Sequence, residues 1–120
     1  MLIDWSALPT VGGMRAGSDR QGICGDKISA VRVVTEPDAE FDGKTHWHEN
    51  EQLLVMVEGM VKVTIDDREM EANPGELIFL PAGSRHAASG AAPDGAAYDE
   101  IFAPPPPDPL PGWVGVAALR

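Results

Sequence analysis

Glycine and proline cut this chain into short pieces, and that punctuation constrains its fold more than any other feature. Of 120 residues, 13 are Gly and 11 are Pro. No stretch before residue 114 carries a helical period, so strands and turns must build the core. ISAVRVV (28–34) is β-branched and bounded by GDK and EPD, the signature of a strand. QLLVMVEG (52–59) and MVKVTIDD (60–67) predict two strands joined at Glu58-Gly59. In the second, Val61, Val63 and Ile65 alternate with Lys62, Thr64 and Asp66, which gives it one wet face. The first is apolar on both faces from Leu53 to Val57 and should be covered on both sides. DDRE (66–69) reads as a turn, ELIFLPAG (76–83) as a strand stopped by Pro81, and HAAS (86–89) as the start of the next. GAAPDG (90–95) reads as a loop and AAYDEIFA (96–103) as the last strand. PPPPDPLPGW (104–113) cannot enter a ladder, because proline has no N–H to donate.

The sum is about eight short strands at hairpin spacing: an all-β chain closing into a barrel or a double sheet. One domain is expected, with an N-terminal arm over residues 1–27, a barrel over 28–103 and a Pro-rich tail over 104–120. The arm has room for a short edge strand, and the tail is expected to pack on the barrel or a partner subunit.

Nineteen acids against nine bases give a net charge of −10. Such a surface repels phosphate backbones and anionic membranes, so neither nucleic acid nor membrane is expected as a partner. A single cysteine, Cys24, excludes an intrachain disulfide framework. With no basic-then-apolar leader and no apolar run of membrane-spanning length, the expected location is the cytoplasm.

Two of the three histidines, His46 and His48, stand one residue apart at the entrance of the Leu53–Val57 strand. Alternate residues of a strand share a face, so His46, His48 and Gln52 converge, while Glu49 and Glu51 point away. A neutral imidazole is a common metal ligand, which makes this stretch a candidate metal site. A bulge would reset the pleat and bring Glu49 or Glu51 inward in place of Gln52.

The third histidine lies in GELIFLPAGSRHAASG (75–90), which reads G-x5-P-x-G-x2-H with Pro81, Gly83 and His86. The earlier stretch reads G-x2-H-x-H-x3-Q-x6-G from Gly43 to Gly59. Together they resemble the two motifs of the cupin superfamily. Gln52 stands where the family has glutamate, Gly90 where it has asparagine, and the opening glycine is three residues closer to the first histidine. The resemblance implies a jelly-roll barrel holding one divalent ion through His46, His48, Gln52 and His86. It also implies a homodimer, with Leu53, Val55 and Val57 covered by a second subunit. A neutral amide beside three neutral imidazoles would leave the full charge on the ion, which favours Lewis-acid chemistry over iron redox cycling. A site of three nitrogens and one oxygen suits Zn, Ni, Mn, Fe or Co.

The ending DEIFAPPPPDPL is similar to that of a cupin subgroup that includes the pectin-degradation cupins, which convert unsaturated uronates to linear sugars. The resemblance gives Glu100 the place of a proton-moving acid and Phe102 and Pro104 matching places. Pro106 falls where that subgroup has an arginine gripping a carboxylate. Related short cupins with glutamine as ligand include cyanohydrin lyases. Met56 shares the inner parity of Gln52 and is a candidate pocket wall as well as core filler. Arg85, beside His86, is a candidate at the barrel mouth; Arg15 and Arg32 have the same status. Trp47 is expected to point outward. The expected function is a metal-dependent isomerase, lyase or hydratase acting on a small oxygenated molecule. A dioxygenase and a non-catalytic ligand-binding module are the alternatives.

Overall fold

The computed structural model describes residues 1–13, 16–37 and 39–106. Among these residues a single 3-10 turn, Trp5–Ala7, precedes seven strands: β1 (Val11–Gly12), β2 (Ser18–Cys24), β3 (Ser29–Thr35), β4 (Glu51–Ile65), β5 (Arg68–Ala72), β6 (Leu77–Leu80) and β7 (His86–Ala103). All pairings are antiparallel, in the order β1-β2-β3-β7-β4-β5, with β6 alongside β4. No helix among the described residues is long and apolar enough to cross a membrane.

Two expectations about chain direction need correction. Glu58-Gly59 is not a hairpin turn, because β4 runs through it as one strand. GAAPDG is not a loop, because β7 runs through it as well. Each long strand serves both halves of the jelly roll. The first part of β4 pairs with β6 and the last part of β7; its second part pairs with β5 and the first part of β7. The bend is made by register shifts in the β4–β7 ladder between Met56 and Val63. Gly59 (φ +75°) and Gly95 (φ +92°) sit at that corner. A Cβ on Gly59 would lie 2.3 Å from the Gly95 carbonyl oxygen, and one on Gly95 would lie 2.3 Å from that of Thr35. Only glycine permits both the backbone sign and the close approach. The true hairpin turn is Asp66-Asp67, where both residues have positive φ, as a two-residue turn between twisted strands requires.

The arm contains more structure than the sequence suggests. β2 pairs with β3 along its full length. The Gln21 side-chain amide donates to the carbonyls of Trp5 (2.6 Å) and Leu8 (3.0 Å), which ties the N-terminal turn to the sheet. Arg32 faces outward, makes a two-pronged ion pair with Asp99 across the β3–β7 ladder (2.6 and 2.9 Å), and lies 5.0 Å from the Trp5 ring. Its charge therefore serves the wall of the barrel and not its interior. Arg15 and residues 107–120 of the tail lie outside the described residues.

Directly opposed residues of antiparallel strands share a face, so the register sorts the interior into rows. One row reads Ser29, Phe102, Gln52, Leu80; the next Val31, Glu100, Leu54, Ile78; the next Arg20, Val33, Tyr98, Met56. Most of these side chains are buried, and Leu80 is fully so, as is Val61 further along β4. Each row thus carries a polar group, Gln52, Glu100 or Arg20, among apolar neighbours.

Candidate metal centre

His46 and His48 lie before β4 on an extended segment held by backbone hydrogen bonds to the β6–β7 connection. His46 and His86 exchange N–H···O bonds of 2.9 Å in both directions, and the Gly83 N–H donates to the His48 carbonyl (2.8 Å). This reciprocal pairing brings the two motifs together, 40 residues apart in sequence. Ring centroids lie 4.3 Å apart for His46–His86 and 4.9 Å for His48–His86. One nitrogen from each of the three imidazoles lies within 4.8 Å of the others, the spacing of ligands around one ion.

Hydrogen bonding sets which nitrogens are available. The Nδ1 of His86 is 3.1 Å from the Ser84 carbonyl, and that of His48 is 2.9 Å from the Asn50 carbonyl. A carbonyl only accepts, so in each ring Nδ1 carries the hydrogen and Nε2 presents its lone pair. The His86 Nε2 is buried and has no hydrogen-bond partner. Burial, followed by the neighbouring His46, pushes the His86 pKa down to about 4, which keeps the ring in its neutral, ligating form.

Gln52 is buried on β4, and its amide bridges two partners. Nε2 donates to a carboxylate oxygen of Glu100, and Oε1 lies 3.1 Å from the His48 Nε2. An ionised Glu100 can face only the NH₂ end of the amide, which sends the oxygen toward the histidines. Two lone pairs then oppose each other across the His48–Gln52 contact. A cation shared between them removes the conflict, and the orphaned His86 Nε2 points to the same need. The residues therefore fit a divalent ion held by His46, His48 and His86, with the Gln52 oxygen as fourth donor. Glu49 and Glu51, the alternative donors, are exposed.

These groups open onto a cavity of about 270 Å³. Phe102 lines it, with its ring centroid 5.8 Å from that of His48, and so do Glu100 and Pro106. Two expected pocket residues are elsewhere. Met56 is 2% exposed and belongs to the core cluster. Arg85 points outward and stacks on the exposed Trp47 at 4.6 Å. It lines a separate surface hollow with Asp66 and Asp67, and its backbone N–H donates to the Asp66 carboxylate. Sequence reasoning missed Arg20 and Tyr98, both of which line the cavity. Recognition of β2 would have found Arg20 by parity, but SDRQGIC lacks an apolar alternation to announce a strand. Cys24, half-buried at its end with a pKa raised by burial and by Asp26, lacks the features of a reactive thiol.

Comparison with solved structures places the same architecture in several proteins. An RmlC-like cupin from Shewanella frigidimarina is 23% identical, with a TM-score of 0.72 over 86% of this chain and 89% of its own. KdgF from Halomonas sp. is 22% identical, with a TM-score of 0.69 over 82% of this chain and 89% of its own. A mutant of oxalate decarboxylase OxdC from Bacillus subtilis is 20% identical, with a TM-score of 0.72 over 88% of this chain but only 30% of its own. At these identities the likeness concerns the fold. No curated protein matches the sequence. The family model for the Cupin domain matches residues 32–97, from β3 into β7 and across all three histidines, and the chain therefore belongs to the cupin family.

Proposed function

We propose that this cupin is a metal-dependent enzyme that rearranges or cleaves a small oxygenated molecule without redox change. The observation that supports this reading is the opposed pair of acceptors, His48 Nε2 and Gln52 Oε1, beside the unpartnered Nε2 of His86. A divalent ion bound there supplies Lewis-acid polarisation of an oxygen, and a ligand set without a carboxylate leaves its charge undiminished. Glu100 is the one carboxylate among the cavity's described lining residues. It takes up or delivers a proton on the substrate, while the Gln52 amide holds it in place. Phe102 and the valines and leucines of the inner face exclude water from the reacting group.

Deuterium exchange tests this. Pyruvate, dihydroxyacetone and acetylacetone are incubated in D₂O with metal-loaded protein and followed by NMR. The expected result is exchange of protons next to the carbonyl, abolished by chelator and by Glu100→Gln. Oxygen uptake in place of exchange would favour a dioxygenase, and saturable binding without either would favour a ligand-binding module.

A homodimer is part of the same proposal. Leu77 (58% exposed) and Phe79 (49%) on β6 face outward beside Val55 and Leu53 of β4, and Val57 is 38% exposed. A second copy would cover this apolar patch. Light scattering should give twice the 12.8 kDa chain mass, and Leu77→Glu/Phe79→Glu should give a monomer. A wild-type monomer at all concentrations would refute it.

A further inference from the structure

We infer that Arg20 forms a carboxylate-binding subsite in the metal cavity, so that the substrate is a small oxygenated acid; this rests on the metal-centre reading above. Arg20 lies on β2 directly opposite Val33, which in turn opposes Tyr98 of β7. Val33 is 7% exposed and Tyr98 is 3% exposed, so this row faces the interior and carries the Arg20 side chain with it. Arg20 accordingly lines the same cavity as His46, His48, His86 and Glu100. It is the one Lys or Arg among the cavity's described lining residues.

Its Nε donates to the Gly12 carbonyl of β1 (3.1 Å). That bond fixes the plane of the guanidinium at the edge of the β1–β2 pair. A planar fork held this way matches a carboxylate, to which it can donate two parallel hydrogen bonds. Much of the remaining lining is apolar, with Val31, Val33, Leu54 and Phe102 among it. The cavity lining therefore combines the metal ligands and Glu100 with one guanidinium. A volume of about 270 Å³ limits the occupant to a compact molecule. The molecule that answers both has a carbonyl or hydroxyl for the metal and a carboxylate for Arg20.

The test uses cobalt-loaded protein, whose visible spectrum reports ligands at the ion, and a matched pair of probes. Pyruvate carries the charge, and methyl pyruvate keeps the ketone but lacks it. Wild type should bind pyruvate at least about tenfold tighter than the ester, the effect expected of a charge-assisted pair. Arg20→Met should abolish that preference while its azide affinity stays at the wild-type value, which also shows that the site is intact. Arg20→Lys should keep part of the preference. Equal binding of both probes by wild type would overturn the inference. So would a preference that survives Arg20→Met, because the ion itself would then be the carboxylate's partner. If the protein takes up no cobalt, the metal reading falls. Calorimetry of both probes against the metal-free wild type and Arg20→Met then decides the Arg20 subsite by the same ratio.

Discussion

Gln52→Glu is expected to keep its metal and lose non-redox activity by an order of magnitude or more. The carboxylate would place a negative charge directly on the ion, so a polarised oxygen becomes less electrophilic and a coordinated water less acidic. One pKa unit corresponds to about 1.4 kcal/mol, or tenfold in rate, and that sets the scale. The structure adds a second consequence. Gln52 Nε2 is the donor to Glu100. The substitution removes that donor and presses two acids against each other inside the barrel, where a bound ion would offset their repulsion. Metal-free Gln52→Glu should therefore melt below metal-free wild type, and metal should raise its melting temperature by more than it raises that of wild type. Adding Glu100→Gln should restore a donor and remove the excess. Metal content, exchange rate and melting curves with and without chelator give the three readings together. Wild-type values in all three would mean that the Gln52 oxygen is not at the ion.

His86→Ala is expected to have the largest effect on metal affinity. His86 is the most buried of the three histidines, at 4% exposure, and its ring lies within 5 Å of both others. Its backbone pairs with His46, so alanine keeps the ladder and removes only the ligand. Loss of a supporting hydrogen bond around a metal typically costs roughly 10- to 100-fold in affinity. Loss of a ligand should exceed that range. His86→Ala should also stabilise the metal-free protein or leave it unchanged, because a buried nitrogen without a partner disappears. Competition against a zinc-sensitive dye, with denaturation of the chelated protein alongside, measures both. A loss of stability without a loss of affinity would make His86 a core residue.

Much of this was legible in the sequence for definite physical reasons. Ligand spacing is dictated by coordination geometry, so His46, His48 and His86 stand out, and strand parity adds Gln52. Glycine marks positions where the backbone has no alternative, and Gly59 was visible as such. Its meaning was not. A glycine between two apolar runs can turn a hairpin or bend one long strand, and only the partner across the ladder, β7, decides between them. The same ambiguity hid the strand inside GAAPDG. Parity put Met56 on the inner face and left both core and pocket wall open, and it is core. Arg85 was misplaced because adjacency to His86 does not fix where a side chain points, and it stacks on Trp47 instead. Arg20 escaped because β2 is held by pairing with β3 and by polar contacts, and its composition resembles a loop.

The central claim is that three histidines and a glutamine hold one divalent ion. Elemental analysis of protein purified without chelator, then dialysed against metal-free buffer, tests it most directly. The expected result is about one divalent ion per chain for wild type and none for His46→Ala/His86→Ala. A wild-type protein that stays empty after incubation with zinc, nickel, manganese, iron or cobalt would contradict the account, as would a double variant that keeps the full complement.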